Sequence, residues 1–293
     1  MKIRLTTLLI GAIGGILMSS SPLSAAPKTG EELPIEVTAD QSLEWYQDQK
    51  LYVARGKARA VKGSMVIEAD ILTAHQSDAD KGVSAKNKKE QTSAGMGNID
   101  TITAEGNVHI YDSKQQVFGD KAVYDSEQNV VQITGGNLRY LTANEIITAR
   151  DSMEYYDDKG IAVARGRAVG ISRKSSEDQR KVEADVLTAK FSTLPDGGRE
   201  LTQLFADGHV TIVTKSDVSR GSRAVYDIKQ NVAVMTGNVK ITSNKTQLSG
   251  DKAEVDFNSG KSRLLNEGKG RVRAMLIPKS DSSASNKSKE NIR

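Results

Sequence analysis

The side chains that could perform acid–base or metal chemistry are few and scattered along the chain. The sequence has three histidines, His75, His109 and His209, and no cysteine. His209 occupies the place in a later repeat that Asn107 occupies in an earlier one, and a position that accepts either residue is not a catalytic base. The chain lacks the sequence signatures of phosphate-binding loops, HExxH zinc sites, nucleophile elbows and EF-hands. We therefore expect no catalytic residue, no metal site and no cofactor.

The aspartates recur once per repeated unit, which favours a structural role. Asp125, Asp227 and Asp256 each close a strand-like segment, where an aspartate side chain accepts hydrogen bonds from the backbone of the following turn. Basic residues flank Gly56 and Gly166 and could contact an anion. A solvated face is the simpler interpretation, because charge beside a strand also prevents incorrect edge pairing. Neither set of residues predicts a reaction.

A long internal repeat supplies the elements that position these side chains. The segment from Val37 to Gly56 returns at an offset of 110 residues as the segment from Ile147 to Gly166. A glycine followed by an apolar alternation also recurs within each copy. Such a repeat indicates stacked supersecondary units, each of which buries its apolar face on its neighbours.

Within the units, apolar and polar residues alternate. Apolar residues occupy every second position around Ile102–Ala104 and Val108–Ile110, the period of a half-buried strand. The recurrent glycines are predicted to lie at turns or bulges that need a positive φ. No helical stripe follows residue 30, so the predicted class is all-β, apart from a possible short turn at 43–46, which could equally be a strand. A later strand shows the same alternation with one slip at 236–237: Val232, Val234, Val239 and Ile241.

The first 25 residues form a predicted signal peptide. Lys2 and Arg4 precede an apolar run from Leu5 to Met18, and small residues surround a cleavage position after Ala25. The run is shorter than the roughly 20 residues that cross a bilayer, and an uncleaved anchor is the alternative. We expect a mature chain that starts near Ala26 and lies outside the cytoplasm. The lack of cysteine excludes a disulfide framework, a thiolate metal site and lipid attachment to an N-terminal cysteine.

Charge and composition divide the remaining chain. The formal net charge is +4, but the signal peptide and the tail together carry all of it, so no nucleic acid partner is predicted. The two copies span residues 26–145 and 146–277, without a linker between them. Polar residues at 76–98 form a predicted loop insertion, and residues 278–293 form a predicted disordered basic tail.

Short motifs recur through the copies in a fixed order. Ala104-Glu-Gly-Asn-Val108 precedes Gly119-Asp-Lys-Ala-Val-Tyr-Asp125, and similar units appear at 206–210, 236–239 and 250–256. Behind a signal peptide, this order resembles the periplasmic lipopolysaccharide-transport proteins of the LptA/OstA type, over most of residues 35–277. The resemblance implies a twisted, open β-jelly roll built from repeated antiparallel strand pairs. Its apolar interior would hold acyl chains, and its sheet edges would be open at both ends.

The resemblance implies a non-enzymatic bridge that carries lipopolysaccharide from the inner to the outer membrane. Its partners would be the lipid A acyl chains, β-roll domains of the inner-membrane transport complex and of the outer-membrane translocon, and further copies of itself, paired head to tail. A membrane-anchored assembly protein of the LptC type is the alternative within the same system. A third possibility is a β-solenoid enzyme or binding protein for polysaccharide, against which an aromatic content of 4% argues.

Apolar residues of the inward parity are the candidate lipid-binding positions, although a dry core would use the same positions. In the first copy they are Val53, Ala58, Leu72, Val108, Ile110, Ala122, Tyr124, Ile133 and Leu138. In the second copy they are Val163, Ala168, Leu187, Val210, Ile212, Ala224, Tyr226, Val234, Val239 and Ile241. Unpaired backbone groups at the two sheet ends are expected to pair with another chain. The candidate assembly residues, which Pro34 and Pro278 bracket, are Ile35, Val37, Val272, Ala274 and Leu276.

Overall fold

The computed structural model describes residues 34–76, 99–173, 179–195, 199–243, 246–259, 261–268 and 270–276. The predicted signal peptide, all of the predicted insertion except Gln76, and the predicted tail lie outside these residues. The described residues form eighteen strands and no helix. The strands are β1 (Ile35–Thr38), β2 (Ser42–Tyr46), β3 (Leu51–Lys62), β4 (Met65–Gln76), β5 (Ile99–Tyr111), β6 (Gln115–Asp125), β7 (Val130–Thr134), β8 (Leu138–Thr142), β9 (Glu145–Ala149), β10 (Ser152–Tyr156), β11 (Ile161–Arg173), β12 (Gln179–Thr193), β13 (Arg199–Val213), β14 (Asp217–Asp227), β15 (Val232–Ser243), β16 (Thr246–Asp256), β17 (Lys261–Leu265) and β18 (Arg273–Leu276).

The strands form one antiparallel ladder. Long strands pair with the next long strand, from β3 to β6 and from β11 to β16. Four long strands also pair with two short strands: β3 with β1 and β2, β6 with β7 and β8, β11 with β9 and β10, and β16 with β17 and β18. The pairs β7–β10 and β8–β9 join the two copies. A single sheet therefore passes through both copies.

The long strands bend at bulges near their middles. In β5, Gly106 and Asn107 lie opposite Asp120 alone, between the pairs Glu105–Lys121 and Val108–Gly119. Gly106 has a φ of 77° and Asn107 a φ of 49°, so the backbone turns sharply at both residues. The bulges of neighbouring strands lie side by side, and we call this row the fold line. A positive φ is confirmed for the predicted glycines Gly56, Gly106, Gly135, Gly166, Gly208 and Gly237. The prediction is wrong for Gly268, the last glycine of the series, whose φ is not in the left-handed region.

The sheet folds along this line into two walls that face each other. Gly170 and Leu187 lie on opposite sides of the β11–β12 bulge. A Cβ on Gly170 would nevertheless lie only 3.6 Å from Cδ1 of Leu187, because the two walls meet there. The fold is an open β-jelly roll, and the predicted fold class is confirmed. The possible turn at residues 43–46 is strand β2 instead.

The apolar core lies between the walls in two clusters. The first core cluster includes Leu72 and Val108 and continues across the junction of the copies to Met153. The second core cluster is built around residues such as Ile212. Leu187 packs against both clusters. The two copies therefore share a continuous core, and we call the face that lines it the inner face of the sheet.

The prediction of which β15 residues face inward is wrong for the first half of the strand. Val234 was expected to share the inner face with Val239, but Met235 is the buried residue there, at 4% exposure. The bulge sets residues 237–238 opposite Asp251 alone. Met235 and Val239 thus remain on one face, and the change of parity falls on β16. The slip that we placed in β15 belongs to its partner strand.

Candidate lipid groove and sheet edges

Most of the predicted lipid-binding residues line the inner face. They belong to, or pack against, the two core clusters: Ala58, Leu72, Val108, Ile110, Ala122, Ile133, Leu138, Ala168, Leu187, Val210, Ile212, Ala224, Tyr226, Val239 and Ile241. Tyr124 also has the inner parity, because it pairs with Ile102 two positions from the Ala104–Ala122 pair. Ile110 and Tyr124 are half-buried and lie far from the fold line. The two residues lie on opposite sides of the fold line, one on each wall.

Three predicted lining residues lie on the outer face: Val53, Val163 and Val234. Val53 follows Tyr52 and precedes Ala54, and Ala54 belongs to the first core cluster. Successive strand residues point to opposite faces, so the side chain of Val53 lies on the outer face, where it pairs with Glu44. It is still buried, at 5% exposure, because polar side chains of the neighbouring strands cover it. The sequence prediction took the apolar residues of the repeated strands as inward.

The side chains that cover Val163 form a network around Glu154. Its carboxylate accepts hydrogen bonds from Ser152 Oγ at 2.8 Å, Tyr156 OH at 3.0 Å and Arg165 Nε at 3.1 Å. Glu154 is 8% exposed. Burial alone would raise the pKa of Glu154, but the hydrogen bonds from Arg165, Ser152 and Tyr156 hold that pKa below its ordinary value. The carboxylate is therefore ionised at neutral pH.

The first copy repeats this network at the N-terminal end of the sheet. Glu44 accepts hydrogen bonds from Ser42 Oγ at 2.6 Å and Tyr46 OH at 2.5 Å, and Arg55 Nε lies 3.4 Å away. Hydrogen bonds from Ser42 and Tyr46 lower the pKa of Glu44. The Glu44 side chain is 31% exposed against 8% for Glu154. Strand β7 lies beside β10, whereas β2 pairs with β3 alone in the described part of the chain. The sequence carries a signal for both networks, because the serine, glutamate, tyrosine and arginine recur at the offset of 110.

Exposed apolar side chains gather at the two ends of the sheet. Leu43 and Trp45 of β2 are 63% and 56% exposed, and Met275 and Leu276 of β18 are 65% and 62% exposed. Val272, just before β18, is 43% exposed. Within the described residues, β1 and β2 pair only with β3, and β17 and β18 only with β16. Both ends of the ladder thus present backbone groups beside apolar side chains.

The predicted assembly residues lie at these ends. Ile35 and Val37 belong to β1, whereas Ala274 and Leu276 belong to β18. Val37 also packs against the first core cluster. The proline predicted to end the C-terminal edge, at position 278, lies outside the described residues.

Contacts between bulge residues of neighbouring strands stabilise the fold line. Asn107 Nδ2 donates to Asp70 Oδ2 at 2.9 Å, and His209 Nδ1 lies 2.8 Å from Asp185 Oδ2. Asn107 and His209 both have positive φ values, 49° and 48°. This explains why the repeat accepts either residue, since both tolerate that conformation and both reach the aspartate. In the described ranges, no group of three His, Asp or Glu side chains is placed to hold a metal ion.

Helices long and apolar enough to span a membrane were sought in the described residues, and none occurs there. No curated protein matches the sequence. Among solved structures, the chain is similar to the crystal structure of LptH, the LptA homologous periplasmic component of the lipopolysaccharide transport device from Pseudomonas aeruginosa. The identity is 12%, over 84% of this chain and 96% of that chain, with a TM-score of 0.19.

A family match covers most of the chain. The family is described as LptA/(LptD N-terminal domain) LPS transport protein, and it matches residues 36–161 and again residues 151–261. The two matches follow the two copies of the internal repeat. The chain therefore belongs to the LptA/LptD N-terminal-domain family of lipopolysaccharide-transport proteins.

Proposed function

We propose that this protein is a periplasmic bridge that binds lipopolysaccharide between its two walls and carries it from the inner to the outer membrane without catalysis. The observation that supports this proposal is a continuous apolar inner face in a member of a lipopolysaccharide-transport family. Each CH₂ group of an acyl chain that leaves water contributes about 0.8 kcal/mol. Because the sheet is open, an acyl chain enters by separating side chains of the two walls, and no covalent step is needed.

A photo-cross-linking residue placed on each face tests the groove. Ile110 on the inner face and Val234 on the outer face are both half-buried, β-branched residues, so they form a matched pair. We expect the probe at Ile110 to cross-link to lipopolysaccharide and the probe at Val234 to give no product. Equal labelling at both positions, or labelling at neither, contradicts a lipid site between the walls.

We also propose that the chain assembles end to end. The two edges expose backbone groups that can extend the ladder into a second sheet. The edges differ from each other, so the contact is heterologous and does not close on itself. Val272→Pro removes a backbone donor and is expected to leave a folded monomer. Light scattering at high concentration measures the oligomeric state of the variant and of the wild type. A wild type that is strictly monomeric and binds no β-roll partner refutes the bridge, but it does not contradict lipid binding.

An anchored protein of the LptC type is the second candidate, favoured by the apolar run from Leu5 to Met18. The intact mass of the exported protein separates the two. We expect a chain shortened by residues 1–25, because charge, apolar run and small-residue site follow the order of a cleaved signal peptide. Recovery of the full-length chain from membranes supports the anchored form instead.

A further inference from the structure

The two copies meet inside the chain through a sheet junction whose register is known residue by residue. Strand β7 lies beside β10, with Ile133 opposite Met153 and Gln132 opposite Glu154. Strand β8 lies beside β9, with Tyr140 opposite Ile147. This internal junction joins the last strands of one copy to the first strands of the next.

The N-terminal end of the sheet corresponds to one side of this junction. Strand β2 pairs with β3 as β10 pairs with β11: Glu44 lies opposite Val53, and Glu154 lies opposite Val163. The residues correspond at the offset of 110 found in the sequence. Strand β2 is therefore the counterpart of β10, and β1 is the counterpart of β9.

The C-terminal end corresponds to the other side. Ala253 pairs with Leu264 between β16 and β17, as Ala122 pairs with Ile133 between β6 and β7. Strand β18 lies beside β16 as β8 lies beside β6. The C-terminal end of the sheet is thus built like the strands that cover β9 and β10 inside the chain.

Burial differs between the corresponding positions in one direction only. Leu43 is 63% exposed, whereas Met153, its counterpart, is 8% exposed. Val272, just before β18, is 43% exposed, whereas its counterpart Leu138, the first residue of β8, is 2% exposed. At each end of the sheet, side chains are exposed whose counterparts at the internal junction are buried. A copy of the opposite end has the strands that would cover them.

Transfer of the internal register to two chains places Leu43 opposite Leu264 and Glu44 opposite Arg263. The internal counterpart of the second pair is Glu154 opposite Gln132. The contact between two chains would therefore have an ion pair where the internal junction has only one charged residue. Side chains directly opposite each other in a ladder have Cβ atoms about 5 Å apart, within reach of an arginine and a glutamate.

The charges near Arg263 favour the same arrangement. Arg263 Nη2 lies 3.4 Å from Glu254 Oε2, and Lys252 Nζ lies 2.7 Å from Glu254 Oε1. The Arg263 side chain is 57% exposed and can contact a second carboxylate. A slip of one residue would remove Arg263 from Glu44 and turn the apolar residues of β17 to the outer face.

We infer that the C-terminal end of one chain pairs with the N-terminal end of a second copy in the register of the internal junction, and that the Glu44–Arg263 ion pair selects this register. This inference rests on the end-to-end assembly proposed above. Each end is occupied by a second copy of this chain, and Glu44 and Arg263 determine the specificity of the contact.

Charge reversal tests the pair. Glu44→Arg or Arg263→Glu alone sets like charges opposite each other, and each is expected to raise the dissociation constant of self-association about tenfold or more. The double variant Glu44→Arg/Arg263→Glu restores opposite charges and is expected to return to within about threefold of the wild type, since one good pair replaces another. Sedimentation equilibrium at physiological salt measures each constant. Arg220→Glu, at an exposed position of β14, is the control and is expected to leave the constant unchanged.

Several outcomes overturn the inference and separate it from the proposed assembly. If both single variants associate like the wild type while Val272→Pro does not associate, assembly stands and the register is wrong. If the double variant associates no better than the single variants, the two residues do not face each other. If the wild type is monomeric at every concentration, both proposals fail. Lipid cross-linking at Ile110 and the circular dichroism spectrum establish that each variant is folded.

Discussion

Leu138→Ala tests whether the two copies share one core. Leu138 lies in β8, where the copies meet, and is 2% exposed. It pairs with Ala149 of the second copy, and its Cδ2 would lie 3.2 Å from a Cβ on Gly119. Truncation therefore removes contacts with both copies at once.

The magnitude follows from the rigidity of the surroundings. Buried Leu→Ala substitutions cost about 2–5 kcal/mol, and the cost is higher where the site cannot collapse. Hydrogen-bonded strands hold the backbone on both sides of Leu138, so we expect about 3–5 kcal/mol, in the upper part of that range. Leu43→Ala removes the same atoms at a position that is 63% exposed, and we expect it to cost under about 1 kcal/mol in the dilute monomer.

Equilibrium unfolding in urea measures both variants. Circular dichroism reports the strands of the whole chain, and the single tryptophan, Trp45, reports the first copy by fluorescence. A shared core predicts that Leu138→Ala lowers the midpoint of both signals together. A cost below about 1 kcal/mol, or a shift confined to one signal, refutes the shared core.

Three further predictions concern the polar network, the fold line and a buried tyrosine. Glu154→Gln is expected to lower the free energy of unfolding at pH 7 by about 1.5–3 kcal/mol, because charged hydrogen bonds are lost, whereas Glu44→Gln has a much smaller effect. Since the folded pKa of Glu154 is lowered, the stability that the ionised carboxylate gives the fold is complete above the ordinary carboxyl pKa and is lost as the pH falls through the folded value. The urea midpoints of the wild type and of Glu154→Gln should therefore approach each other at acid pH, and a constant difference between them contradicts this. Gly106→Ala places a Cβ 2.2 Å from Asp70 Oδ2 at a φ of 77° and should cost more than about 1 kcal/mol, whereas Gly136→Ala, with its nearest neighbour at 3.8 Å, should be tolerated; equal thermal midpoints for both variants contradict the strain at the fold line. Burial, with nearby Glu145 and Asp112, raises the pKa of Tyr140 to about 12, so Tyr140→Phe should remove the last tyrosine to ionise in an ultraviolet pH titration, and an unchanged alkaline end of that titration contradicts it.

Local signals in the sequence predicted the class, the repeat and the bulges. Strand alternation needs only neighbouring residues, and a positive φ at Gly106 or Gly208 follows from the absence of a Cβ. The residues after these glycines, such as Asn107 and His209, could not be assigned in this way. Their positive φ comes with the bulge that pairing with the neighbouring strand creates, since Lys57 and Arg167 have a positive φ at the same place in other bulges.

The face of a residue near a bulge could not be predicted from its own strand. Val234 was assigned to the inner face because the sequence does not tell which of two paired strands absorbs the change of parity. Val53 and Val163 were assigned inward because the apolar residues of a strand usually face the core. The polar network around Glu154 breaks that rule, since it covers apolar residues on the outer face.

Spin labels on the two faces test lipid binding between the walls most directly. The chain has no cysteine, so Ile110→Cys and Val234→Cys each carry one nitroxide at a chosen place. Addition of lipopolysaccharide is predicted to immobilise the label at position 110 and to leave the spectrum at position 234 unchanged, because acyl chains contact only the inner face. Spectra that stay unchanged at both positions, or that change equally at both, contradict a protein that carries lipid in its interior.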